Sequence, residues 1–266
     1  MTVESLLLQR LNQIGESLER KEEALALFGL GSVGVETGRI DEFSDLDFFV
    51  IAAPGRKQSL IDRLDWLEDI CPLAYQFKNC ELGYKFLYED GIYGEFAVFE
   101  PAELDSALYT GGRMVWKRPD VLNDDIAAGK MPLPAIRAVS LDHVVGEAVT
   151  NLYVGLGRYL RGEKMSAFKF IQGYPIDGLM SVLHILKPEI NYFPDPFGNE
   201  RRLESRFPGF SEVIGNMLQG YDKTPESALH LLEFLESIYP VNPRMSQEIR
   251  KLAERCLSKT WGREGM

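Results

Sequence analysis

The sequence predicts an α+β chain in two parts: a sheet with helices over residues 1–130, then a helical bundle over 131–266. Three observations predict this. Short apolar runs bounded by turn residues recur as far as residue 117, which is the pattern of strands. From residue 135 onward the apolar residues fall at helical spacing. Between them lies the acidic, polar stretch Asp120 to Gly129, followed by Pro132 and Pro134, a composition suited to a domain boundary.

The elements follow in order. Leu7, Leu11, Ile14 and Leu18 form one helical stripe over residues 3–20, with Thr2 as a capping residue. Leu25 to Phe28 is a buried strand, and Phe48 to Ile51 is another. After the Pro54-Gly55 turn, residues 57–70 read as one helix with Leu60, Ile61, Leu64, Leu67 and Ile70 inward. Residues 72–78 form a strand. Residues 83–88 and 92–99 flank Glu89-Asp90-Gly91, a strong hairpin signal. Residues 101–112 are irregular, and 113–117 close the first part as its last strand. Helices are expected over 135–161 (ended by Gly162), 164–186 (interrupted at Gly173-Tyr174-Pro175), 200–204, 211–220, 225–238 and 243–259, with a loop at 191–200.

The stretch that carries chemistry is 25–52. The first strand ends in Gly29-Leu30-Gly31-Ser32, and the second opens with Ser44-Asp45-Leu46-Asp47. Residues two apart in a strand share a face, so Asp45 and Asp47 point the same way and Leu46 and Phe48 the other. Two carboxylates on one face repel and are costly to desolvate. A divalent cation is the usual reason for placing them there, and Mg²⁺ takes such oxygen ligands together with substrate phosphates. The alternative is a solvated strand end. Gly31 lets the backbone approach a phosphate, and the local N–H groups with the Ser32 hydroxyl can donate to its oxygens. Arg39 lies in the intervening loop and reads either as a phosphate contact or as a solvated arginine.

Composition narrows the partners. The chain has 266 residues, 45% hydrophobic and 26% charged, enough to build a core and unlike a disordered chain. No apolar run approaches the ~18 residues of a membrane span. The first twenty residues lack the basic leader and continuous apolar run of a secretory signal, so a cytoplasmic location is expected. Cys71, Cys80 and Cys256 form no CxxC pair, and His143, His184 and His230 are scattered; neither set suggests a disulfide framework or a zinc site. The net charge of −11 without an extended basic cluster argues against a nucleic-acid partner and suits a cationic small molecule.

Gly31-Ser32 followed by Asp45-x-Asp47 at the head of an apolar strand resembles the signature of the DNA polymerase β-like nucleotidyltransferase superfamily. The twelve residues between Ser32 and Asp45 are at the long end for that signature. Ile92 to Phe99 resembles the strand that carries its third carboxylate, which falls on Glu95. On that strand Tyr93, Glu95, Ala97 and Phe99 share a face, so Glu95 is expected among apolar neighbours, in want of a partner; the alternative is an edge-strand glutamate facing water. Length, the Gly94-Glu95-Phe96 strand and a helical second half together resemble the lincosamide nucleotidyltransferases. The likeness covers residues 25–120 well and the second half only in general pattern.

The resemblance implies a nucleotidyltransferase-fold domain with a mixed sheet. It implies Mg²⁺ held by Asp45, Asp47 and Glu95, and a nucleoside triphosphate, ATP first, at Gly31, Ser32, Arg39 and Ser44. It further implies transfer of a nucleoside monophosphate to a hydroxyl of a small molecule, a lincosamide or an aminoglycoside, by a chain that can form a homodimer. Glu95 would act as general base or only as metal ligand. Lys164, Lys169, Arg201 and Arg202 are weaker phosphate candidates, and Tyr174, Tyr192, Phe193 and Phe197 are candidates for an acceptor pocket or for simple packing. Modification of a partner protein, or a non-catalytic nucleotide-binding relative, are the competing functions.

Overall fold

The computed structural model describes residues 3–121, 124–129, 140–193, 195 and 197–259. The chain divides into two compact units, Met1–Leu133 and Pro134–Met266. Thr2, Pro132, Pro134, Pro194 and Pro196 lie outside the described residues.

The first unit begins with helix α1, Val3–Glu19, whose stripe Leu7, Leu11, Ile14 and Leu18 is buried. Six strands follow: β1 Ala24–Gly29, β2 Leu46–Ala52, β3 Leu73–Cys80, β4 Gly83–Tyr88, β5 Tyr93–Phe99 and β6 Arg113–Lys117. They form one sheet in the order β3-β4-β5-β2-β1-β6. β2 and β5 run parallel; the other neighbours are antiparallel. The β4–β5 hairpin turns at Asp90-Gly91, where Gly91 takes φ 88° and its N–H donates to the Tyr88 carbonyl at 3.0 Å. Arg10 of α1 pins that turn, bonding Asp90 at 2.5 Å with its guanidinium over the Tyr88 ring.

The sheet has two faces of different character. On one, Leu46, Phe48, Val50, Phe86, Phe96 and Val98 pack under α1 in a core that includes Trp66. On the other, Phe28, Ile51, Leu104 and Tyr109 form a second core, with Phe49 and Phe99 against it. That second core covers the far end of β2 and β5 and leaves the near end, with Asp47 and Glu95, only partly buried.

The helix expected over 57–70 is two short ones, α2 Lys57–Asp62 and α3 Asp65–Glu68. Trp66 explains the break. Its indole N–H donates to the Leu60 carbonyl at 3.0 Å, the acceptor that a continuing helix would give to the N–H of Leu64. Arg63 is extended there (φ −128°, ψ 113°), and the indole drops into the core edge-on against Phe48 and Phe96.

The second unit is helical: α4 Leu141–Leu160, α5 Lys164–Phe168, α6 Tyr174–Leu186, α7 Leu203–Arg206, α8 Pro208–Met217, α9 Thr224–Ile238 and α10 Pro243–Ser258. Ser140 caps α4, accepting from His143 N–H at 3.2 Å. At its other end Gly162 (φ 89°) donates to Tyr159 and the next N–H, of Glu163, to Arg158, the paired bonds of a Schellman motif. The interruption expected near Gly173 is a five-residue π-helical turn, Lys169–Gly173, with Pro175 in the first turn of α6. The short helix expected at 200–204 lies at Leu203–Arg206 instead, because Arg202 takes a left-handed conformation (φ 58°) that cannot belong to the helix. Among the described residues no helix is long and apolar enough to cross a membrane.

The β2–β5 pairing predicts a sensitive position. A Cβ on Gly94 would lie 2.5 Å from the Phe86 ring and 2.8 Å from the Leu46 carbonyl. Gly94→Ala is therefore expected to lose about 1–3 kcal/mol of stability, read as a lower midpoint at unchanged slope in urea unfolding.

Candidate active site

Site geometry begins with register. Asp47 on β2 is paired with Glu95 on β5, and Glu95 in turn with Lys85 on β4. Opposed residues in a sheet point to the same face, so these three side chains stand in one row. Asp45 precedes β2 by one residue, two before Asp47 and therefore on the same side. The carboxylate of Asp45 titrates above the usual aspartate range: burial raises it most, its backbone hydrogen bond and Arg39 oppose this, and the charge of Glu95 adds to it. The acids are thus close enough to feel one another.

The Gly31 turn is tied directly to this row. The N–H of Leu30 donates to the Asp47 carbonyl at 2.7 Å, which ties the end of β1 to the head of β2. Gly31 sits at φ 51°, where any other residue is strained, and its carbonyl accepts from Gly34 and Glu36. The turn continues as a single 3-10 turn, Gly31–Val33, and not as a long helix. Ser32, its middle residue, is buried. Arg113 of β6 braces the turn from beneath, its Nε and Nη2 donating to the Val33 carbonyl at 3.3 and 3.0 Å.

Arg39 lies over Gly31. A Cβ there would meet its Nη2 at 3.0 Å, and its Nε bonds Glu36 at 2.5 Å. The guanidinium therefore lies against the Gly31 turn, and its charge acts on Asp45. Ser44 is placed otherwise. Its hydroxyl accepts from the Asp41 N–H at 3.0 Å and donates to Asp41 Oδ1 at 3.1 Å, closing the loop 41–44.

Glu95 departs from the expectation of an unpartnered carboxylate among apolar groups. Asn79 Nδ2 donates to Glu95 Oε1 at 2.7 Å, and Lys85 Nζ lies 3.3 Å from Oε2. The hydrogen bond to Glu95 raises the Lys85 ammonium above the ordinary lysine value, with the charges of Glu95, Tyr93 and Asp47 adding to it. Asn79 and Lys85 are the site residues that sequence reasoning missed. Lys85 was within reach of it: counting back from the three-residue loop Glu89-Asp90-Gly91, with Tyr88 opposite Ile92, places it opposite Glu95. Asn79 was not, because the β3–β4 register shifts between Phe77 and Cys80.

The donor set suits a hard divalent cation in its chemistry: carboxylate oxygens on one face, one of them disfavoured as an anion by burial. Among the described residues no three His, Cys, Asp or Glu side chains are already gathered into a metal-holding group. Glu95 is turned toward Asn79 and Lys85, and completing the set needs it to turn toward Asp45 and Asp47.

The candidates in the second unit have other contacts. Arg201 bonds Asp195 at 3.2 Å, Arg202 donates to the Phe193 carbonyl, and Lys164 stands over the Tyr159 ring. Tyr192 packs edge-on against Phe193, and Tyr174 against Phe170.

The burial of Asp45 makes a testable prediction. Its raised pKa means the folded state disfavours its charge. That cost is fully present above the folded pKa and gone below the unfolded aspartate value near ~3.9. Asp45→Asn is expected to raise the melting temperature of the ion-free protein at pH 7, with the gain shrinking to nothing as the pH falls toward 4; an unchanged or lower midpoint at pH 7 contradicts it.

No protein-family model and no curated protein matches the chain. Among solved structures, an aminoglycoside 6-adenyltransferase from Bacillus subtilis aligns over 95% of this chain and 99% of its own, at 14% identity and TM-score 0.34. The Thermotoga maritima CCA-adding enzyme in complex with tRNA aligns over 96% and 73%, at 11% identity and TM-score 0.37. A spectinomycin adenyltransferase from Enterococcus faecialis, with ATP and spectinomycin, aligns over 94% and 99%, at 10% identity and TM-score 0.30. All three TM-scores lie below 0.5.

Proposed function

We propose that the chain is a divalent-metal-dependent nucleotidyltransferase that moves a nucleoside monophosphate, with ATP as first donor, to a hydroxyl of a small molecule. One observation supports this most: the parallel β2–β5 register sets Asp47 beside Glu95, on a strand hydrogen-bonded to the glycine turn. In this reading Asp45, Asp47 and Glu95 hold Mg²⁺, which when bound would neutralise phosphate charge and acidify the attacking hydroxyl. The N–H groups of the Gly31 turn and the Arg39 guanidinium hold the triphosphate.

The acceptor oxygen bonds to the α-phosphorus as the bond from that phosphorus to the bridging oxygen breaks. Pyrophosphate leaves with the electron pair. The hydroxyl proton goes to Glu95 or through it to water. Swinging Glu95 from Lys85 toward the aspartates brings it to that hydroxyl. Positioning and charge supply most of the rate.

Lincosamides and aminoglycosides are the acceptor classes to test first. The net charge of −11 favours a cationic small molecule over a polynucleotide. The test is pyrophosphate release with Mg²⁺ and each of the four nucleoside triphosphates, against lincosamides, aminoglycosides, a tRNA 3′ end and proteins. Release is expected with one acceptor class, to disappear with chelator, and to fall at least about 10³-fold in Asp47→Asn. Release with a protein acceptor alone would replace the small-molecule reading. Nucleotide binding without release for any acceptor would replace the enzyme with a binding protein.

A further inference from the structure

The face that carries the carboxylates does not end at Glu95. The same lateral row continues through Lys85 to Phe77 on the edge strand β3, and the next row runs Tyr75, Leu87, Tyr93. Three aromatic rings therefore stand on the sheet face of Asp47 and Glu95. All three are open: Tyr75 is 55% exposed, Phe77 52% and Tyr93 38%. Elsewhere in this unit the β-strand aromatics are drawn into cores, as Phe48, Phe86 and Phe96 are.

Asn79 adds a polar end to this surface. A carboxylate only accepts, so the bond to Glu95 Oε1 must come from the amide nitrogen, and this fixes which way the amide faces. The other end, Asn79 Oδ1, is buried and accepts no hydrogen bond from the described residues. A buried acceptor left alone is costly, and one beside a reactive carboxylate invites a donor from a ligand. Each feature selects the same chemistry. Aromatic faces attract cations and pack on saturated rings, an orphan amide oxygen takes an N–H or O–H, and the adjacent acids favour positive charge.

Resting on the function proposed above, we infer that Tyr75, Phe77, Tyr93 and Asn79 form the acceptor subsite, and that the acceptor is a cationic, hydroxylated ring compound lying across β3–β5. Its saturated ring packs on Phe77 and Tyr75, the Asn79 amide turns its buried Oδ1 outward to accept from a hydroxyl or ammonium group, and the hydroxyl to be modified lies at Glu95. The subsite belongs wholly to the first unit. The second unit's Tyr174, Tyr192 and Phe197 are not needed for it.

The experiment is equilibrium binding by calorimetry of lincomycin, spectinomycin and kanamycin, with sucrose as an uncharged polyol control. It compares wild type, the double variant Tyr75→Thr/Phe77→Thr, which keeps strand-forming residues on an exposed edge, and Asn79→Leu. Mg²⁺·ATP affinity and light scattering are measured on the same samples. At least one cationic compound is expected to bind wild type, at least about tenfold more weakly to each variant, and sucrose not at all. Mg²⁺·ATP affinity should stay the same in the double variant. Unchanged affinity for the cationic compounds in the double variant overturns the subsite. Binding of none of the three to wild type overturns the ligand class. A wild-type dimer that the double variant splits assigns the rings to a second copy of the chain and overturns the subsite too. Failure of the wild type to bind Mg²⁺·ATP would instead defeat the nucleotidyltransferase reading, while the antibiotic titrations still report on the rings.

Discussion

The parallel pairing of β2 with β5 is the constraint on which the rest of the first unit depends. A parallel neighbour needs a crossover, and here α2, α3 and the β3–β4 pair supply it. Register then follows from packing. Leu46, Phe48 and Val50 oppose Gly94, Phe96 and Val98 over the α1 core, with the Phe48 and Phe96 rings stacked 5.6 Å apart. A slip of one residue would put Asp47 and Glu95 into that core and Phe48 and Phe96 out of it. The apolar residues thus hold the carboxylates in register without touching them.

The same economy of faces explains why the carboxylate row is open. Phe49, Ile51 and Phe99 point to the carboxylate side of the sheet and are covered by Leu104 and Tyr109. Two to four residues earlier on β2 and β5 that cover has ended, and Asp47 and Glu95 are only partly buried. One pair of strands therefore serves as a two-sided core at one end and as an acidic surface at the other.

The charge of that surface is balanced locally. Arg39 acts on Asp45, and Lys85 and Asn79 hold Glu95. In the ion-free chain an ammonium group and an amide already occupy the third carboxylate. A divalent ion that binds Glu95 must therefore compete with Lys85 and also stabilise Asp45 as an anion. This contest, set by residues from three different strands, accounts for why the acids share a face without forming a ready-made metal cage.

Local sequence determined the elements, because their signals are local. The stripe of α1, the alternation around Asp47, the Asp90-Gly91 hairpin and the Gly162 cap are each written within a few residues, and the α+β class follows from them. The same alternation placed Asp45 and Asp47 on one face. What spacing alone could not fix was decided in three dimensions. Trp66 broke the helix at 57–70 because the Leu60 carbonyl found a nearer donor in the indole. Ser44 was spent on closing its own loop. Asn79 reached Glu95 only through an irregular register on β3, and Arg113 reached Val33 only through the β1–β6 pairing. The Asn79 and Arg113 contacts join segments far apart in the chain, the Trp66 and Ser44 contacts are local, and no periodicity records any of them. The sequence by itself determined which residues share a face; the tertiary structure decided which faces meet, because that depends on how all the apolar surfaces are buried at once.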